Sequence, residues 1–521
     1  MNNTPTMDRC LNLSGPMPAV GRQGRAHPSE NELVDRRGCA GARRRGSKMP
    51  QWHRLLAVGS LALSAGCAGS DPTGPTDPTF PALVVTTTSL PGGAANVAYA
   101  TQTVTAAGGD GSYSWTVVSG RPPAGLSVAS NGVVTGTPTA VGTGAFTIQA
   151  TSGDGQTAQR ALSIAVGAPP ALRPDELCSD HPAYARASFE DPNLEAAVRE
   201  ELSLDPQDAV TCGMLATIDV LDAPSLGIAS LEGIQNLTDL VGLGLGDNEI
   251  TDLSALSGLT SLMYVSLFHN TITDISALSA LTDLQFLNLN FNGITDATAL
   301  SGLTDLEILF LGNNSIGDIG ALRRLTRLSN LSLESNPITD IGALRELTGL
   351  TDLRLGTTSI ADYGPLGALT ALESLALPHN SIDDLTSLAA LLRGHAALRN
   401  LSLSDNSITD IDALGELTGL TYLGLSGNSL TDVSVLSGLA DLDTLFLTEN
   451  SITDVTALNG LTSLRYVGLS DNPDLDDIQP LLDNPGFGAG VSVTLLRTNV
   501  GCTDVAALRA KDVTVHASAC P

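Results

Sequence analysis

From Leu240 onward, apolar residues return every 22 positions in the phrase L-x-x-L-x-L-x-x-N-x-I-x-D-x-x-x-L-x-x-L. The marker asparagines are Asn248, Asn270, Asn292, Asn314 and Asn336. Thr358 takes the next slot, and Asn380, Asn406, Asn428, Asn450 and Asn472 follow. The single longer step, from Asn380 to Asn406, holds four extra residues near 392–395. A unit that repeats at such a period cannot bury its apolar side alone and stacks on its neighbours. Within each unit a short strand (Leu243-Gly244-Leu245, Leu287-Asn288-Leu289) points its leucines inward, and neighbouring strands are predicted to pair in parallel about 4.8 Å apart. The asparagine is predicted to tuck under the turn and satisfy backbone groups that would otherwise be buried unpaired. Thr358 interrupts that ladder, so the array is expected to be weaker there.

Upstream the pattern changes. Over 82–167, polar and apolar residues alternate in runs such as Tyr113-Ser114-Trp115-Thr116-Val117 and Phe146-Thr147-Ile148, separated by turn signals that include Asn131-Gly132. Short strands at this spacing predict a β-sandwich with Trp115 in its core. Leu194, Ala197, Val198 and Leu202 share one helical face, with Asp191 and Pro192 at its start. Repeats of this length carrying this phrase are leucine-rich repeats. The expected fold class is therefore an α/β leucine-rich repeat solenoid of parallel strands, preceded by an all-β sandwich, Ig-like by the resemblance given below. The expected divisions are a leader over 1–48, a signal stretch over 49–66, a Pro/Gly/Thr-rich tether over 67–81, and the sandwich over 82–167. A linker over 168–177, a cap over 178–239, repeats over 240–490 and a second cap over 491–521 complete the chain.

A second column, Asp252, Asp274, Asp296, Asp318, Asp340, Asp362, Asp384, Asp410, Asp432 and Asp454, precedes short segments such as Ser254-Ala255-Leu256. There a carboxylate can accept from exposed backbone N–H groups. Calcium binding by the stacked carboxylates is the competing reading; capping is preferred, and no metal or cofactor is expected.

Charge narrows the partners. The 521 residues hold 26 basic and 55 acidic side chains, a formal charge of −29. Such a balance argues against nucleic acid, because nothing would neutralise phosphates. At the front, Arg54 and an apolar stretch over 55–63 lead into Ser64-Ala65-Gly66-Cys67, the order of a secretory signal. Met49 is expected to be the start, and cleavage before Cys67 would remove ten basic and four acidic residues, leaving −35. Of seven cysteines, Cys178 with Cys212 and Cys502 with Cys520 form two local couples at the ends of the array, which reads as two capping disulfides of an exported protein.

Three resemblances follow from these residues. Ser64-Ala65-Gly66-Cys67 resembles the bacterial lipobox, in which the cysteine is lipidated after cleavage; Ser64 stands where the family usually has leucine. That resemblance implies a lipid anchor on Cys67 and a place in the bacterial cell envelope, at the outer membrane or cell surface. The run RPPAGLSVASNGVVTGTPTAVGTGAFTIQAT resembles Ig-like domains of bacterial surface proteins, which implies a spacer. The 22-residue units with ITD and SALSGLTSL phrasing, led by Phe189-Glu190-Asp191, resemble internalin-type repeats. Internalins usually carry the Ig-like module after the repeats, whereas here it comes first, so host-cell invasion is not carried over.

Aromatics supply the candidate site. They are only 3 % of the chain, and nine lie between Leu240 and Asn472. Eight of these fall at repeat positions predicted to face the concave strand side: Tyr264, Phe268, Phe286, Phe291, Phe310, Tyr422, Phe446 and Tyr466. Ile308 joins the early group, and Arg354 lies in the polar stretch between the two groups. Tyr363 alone falls in a core column. Clustered exposed aromatics mark binding surfaces, so these ten residues are the candidate ligand contacts of a monomer that binds another protein. Carbohydrate or envelope-polymer binding and a purely structural envelope role are the alternatives. No catalytic motif stands in a fitting context, and His269 and His379 are five repeats apart, about 25 Å at strand spacing, so the chain is not read as an enzyme.

Overall fold

The alternation over 82–167 folds as expected into small β-sheets. The computed structural model describes residues 80–206, 208–518 and 520; the expected leader, the signal stretch and Cys67 lie outside them. Tyr113–Gly120, Gly142–Ser152 and Thr157–Gly167 run antiparallel in a sheet that Gly93–Ala94 extends along Thr157–Gly167 in parallel. A second sheet joins Gln102–Thr103, Val133–Gly136 and Leu126–Val128. Trp115 lies in the core with Val134, Phe146, Ile148 and Ile164. The Asn131-Gly132 turn closes the hairpin, with Gly132 at φ +82° and pressed so close to the Trp115 ring that a Cβ would come within 2.8 Å of Nε1. Only glycine serves there.

The repeats build one sheet of 14 strands in chain order, from Val220–Asp222 and Gly242–Gly244 to Thr514–Ala517. Every pair is parallel and in register one repeat apart, as in Tyr264↔Phe286↔Ile308↔Asn330; each repeat is one rung. The return segments are mostly 3-10 turns of three to five residues, from Ser254–Leu256 to Thr456–Gly460. Twenty-two residues leave little chain for a full α-helical return, and the 3-10 turn is the short solution. Where the four extra residues fall, the return is an α-helix, Thr386–Leu392. The interior is a continuous stack of leucine and isoleucine, most of it without solvent exposure.

Polar side chains complete each rung. Asn270 Nδ2 donates to the carbonyls of Leu267 and Phe268 on its own rung and to Leu245 on the rung before, while its Oδ1 accepts from Ile250 N–H. Asn314 and Asn450 repeat the set. At Thr358 the set is lost: its hydroxyl contacts only Leu355 O and Asn380 Oδ1, and Ile338 N–H turns back to Asn336 O. The acidic column caps the returns, since Asp252 Oδ1 accepts from Ser254 N–H at 2.8 Å and each later member repeats the contact two residues on. Backbone and hydroxyl donation from Ser276 and Ser434, and hydroxyl and backbone donation from Thr386 and Thr456, hold Asp274, Asp432, Asp384 and Asp454 below the ordinary carboxylate range.

Both ends are closed. Asp191 caps the helix Pro192–Glu201 through Asn193 and Leu194 N–H and reaches Ala229 N–H with its other oxygen. Cys178–Cys212 and Cys502–Cys520 are disulfides, in the predicted pairing.

Candidate functional site: the strand face of the repeats

On the strand face the column of residues preceding each marker asparagine has a common backbone state. Asp247, His269, Phe291, Asn313, Ser335, Thr357, His379, Asp405, Glu449 and Asp471 all have φ between +53° and +56°, and Gly427 has φ +64°. The left-handed turn is uncommon for non-glycine residues, and a β-branched residue such as Thr357 is the most strained there. It lets the chain leave the strand in one residue and aims this column outward from the strand edge.

Strand register brings the early rings together. Tyr264 and Phe286 sit on adjacent rungs and stack with centroids 4.2 Å apart and planes within 9°. Phe310, one rung further, meets Phe286 edge-on at 5.9 Å. Phe291 meets the His269 ring edge-on at 6.1 Å. In the late group Phe446 lies between Tyr422, at 5.6 Å, and Tyr466, at 4.7 Å. Such pairs each contribute about 0.5–1.5 kcal/mol beyond area burial.

The expectation of eight solvent-facing rings needs a correction. Phe286 and Phe446 are only 8 % and 6 % exposed. Neither belongs to the solenoid core; each is covered by the rings on neighbouring rungs. At strand spacing the rings are close enough to touch, and the central member of each group is sandwiched. Phe291 is the open ring, 48 % exposed, while Tyr264, Phe268, Phe310, Tyr422, Tyr466 and Ile308 are half-buried. Arg354 lies between the groups and is paired with Asp352 at 3.2 Å. Tyr363, off this face, packs half-buried against the core, and its hydroxyl has no hydrogen-bond partner.

Several neighbours of the rings were not singled out from the sequence. Gly242, Gly244 and Gly246 leave the second rung bare, and the gap is filled from both sides. A Cβ on Gly244 would come within 2.4 Å of Asp222 Oδ1, and one on Gly246 within 2.1 Å of the Phe268 ring. The G-x-G-x-G spacing was the available signal. Asp247 Oδ1 lies 2.5 Å from His269 Nδ1, and His379 is 3.4 Å from Asp405. Partial burial raises the Tyr264 phenol, and the Asp222 charge adds to the rise. Among the described residues no group of three or more His, Cys, Asp or Glu is placed to hold a metal ion, and no helix is long and apolar enough to cross a membrane.

Known proteins place this geometry. The family described as "Leucine Rich repeats (2 copies)" matches residues 260–302, 282–324, 304–346 and 397–438. The family described as "Putative Ig domain" matches residues 78–167. The crystal structure of an internalin, InlF, from Listeria monocytogenes is 32 % identical; the alignment covers 63 % of this chain and 95 % of that one, with a TM-score of 0.56. A second internalin of the same organism, InlC2, is 34 % identical over 46 % of this chain and 94 % of its own, with a TM-score of 0.38. A search of the curated proteins returns no match. The asparagine ladder, the 14-rung parallel sheet and identity over nearly the whole of InlF together show that the chain belongs to the internalin-type leucine-rich repeat proteins, with an Ig-like domain ahead of its repeats.

Proposed function

We propose that the strand face of the repeats binds another protein, with the two ring groups as anchors, and that the chain performs no catalysis. One observation carries this reading: in a chain so poor in aromatics, eight of the nine in the repeats stand on one face outside the core, six of them in two touching groups of three. Buried aromatic anchors dominate protein interfaces. Export supports the same reading, since both disulfides suit an oxidising compartment, and we place the protein at the bacterial envelope as a monomer anchored through Cys67.

The test is capture from native envelope by the wild-type chain beside the Phe291→Ala/Phe310→Ala double variant, with unchanged circular dichroism as the control. A protein captured by the wild type and lost with the variant supports the reading. Equal capture by both refutes it, and loss of glycan-array binding with no protein partner would transfer the face to sugars. Mass spectrometry of the mature N-terminus tests the anchor: a diacylated or triacylated Cys67 is expected, and an unmodified residue other than Cys67 would overturn it.

A further inference from the structure

The early ring group is bracketed by carboxylates that have no counter-ion among the described residues. Asp222 lies on the first rung, leaning over Gly244 toward Tyr264. Partial burial pushes its carboxyl above the ordinary range, and no basic side chain among the described residues lies within ion-pair distance of it. At the other end, Glu334 lies across Gly312, on the rung after Phe310, and its carboxylate accepts from Ser332 Oγ. It too has no basic partner among the described residues, although Arg354 stands on the next rung, opposite Ser332, where it holds Asp352. Between the two acids stand Tyr264, Phe286 and Ile308, in register on consecutive rungs, with Phe310 on the same rung as Ile308.

The spacing restricts what can lie there. Asp222 and Glu334 are five rungs apart, about 24 Å at a strand spacing of about 4.8 Å. An extended peptide of about seven residues covers the same length at about 3.3–3.4 Å per residue. A cation at either end would meet a carboxylate that has none, beside ring faces and edges that also attract it. Apolar side chains in the middle would cover the half-buried rings. Resting on the reading of the strand face as the binding face, we infer that its early half takes an extended protein segment with basic side chains at both ends and an apolar centre of about five residues. The late group offers no such bracket, because Asp471 is held by Arg497 and Asp405 by His379.

The test is calorimetric titration of the full chain with three synthetic peptides. The first is seven residues long with arginine at both ends of a Leu/Ser/Phe centre; the second carries glutamate at the ends; the third brings the arginines two residues apart. The first is expected to bind, to weaken as salt is raised, and to lose about fivefold to tenfold in Asp222→Asn and again in Glu334→Gln. The second and third are expected to bind at least tenfold more weakly, because one or both carboxylates go unmatched. Equal binding of the glutamate peptide, unchanged affinity in both acid variants, or no binding by any peptide would overturn the inference. The Phe291→Ala/Phe310→Ala variant separates the two levels. Peptide binding that depends on the rings but ignores the acids leaves the binding face standing and removes the charge requirement; binding indifferent to the rings removes the face.

Discussion

Thr358→Asn should stabilise the array where its ladder is broken. In regular rungs the asparagine makes one donor contact to the preceding rung and accepts one N–H from it, as Asn336 does with Leu311 O and Ile316 N–H. Thr358 makes neither, and Ile338 N–H is satisfied locally by Asn336 O instead. The consequence shows in the packing: Ile360 and Ile382 are each 7 % exposed, whereas Ile294, Ile316 and Ile338 are fully covered. Two restored hydrogen bonds at about 0.5–1.5 kcal/mol each, less the entropy of fixing a side chain, give about 1–2 kcal/mol. Local opening at that rung should then be about fivefold to thirtyfold rarer. Hydrogen exchange followed by mass spectrometry reads this directly. In the wild type, amides over 338–382 should exchange faster than those over 270–316, and Thr358→Asn should close the difference. Uniform exchange along the wild-type array, or no slowing in a correctly folded Thr358→Asn protein, would refute the account of the ladder as an inter-rung tie.

Two further outcomes follow. Phe446→Ala should destabilise the chain by about 2–4 kcal/mol, because it removes a ring covered by two neighbours, whereas Phe291→Ala should cost under about 1 kcal/mol; urea melts compare them, and equal costs would contradict the sandwich. In the Ig-like domain, Asp110 accepts from Ser112 N–H, the Ser152 and Ser112 hydroxyls and Gly153 N–H, which lower its carboxyl from 3.8 to about 2. A depressed carboxyl stabilises above its unfolded value and loses that contribution as pH falls through the folded one. The stability gap between wild type and Asp110→Ala should therefore be widest at pH 7 and narrow as pH falls from about 3.8 toward 2, as thermal melts across that range would show.

The family, the rung spacing, the inward leucines, the asparagine ladder with its gap at Thr358, the aspartate caps and both disulfide pairings were legible in the chain itself. Each is set by a residue's own repeat or by a periodic rule, and burial of leucine at fixed spacing leaves one way to stack. The identity of the ring-bearing face was legible for the same reason. Which rings remain open was not. Phe286 and Phe446 are covered by side chains 20 to 24 residues away, and Phe268 and Asp222 settle over glycines of another rung. The left-handed column and the helical return at Thr386–Leu392 were likewise decided only when the turns closed on one another. Contacts between rungs depend on side-chain lean and ring orientation, and these are chosen by the neighbouring coil rather than by the residue's own place in the repeat.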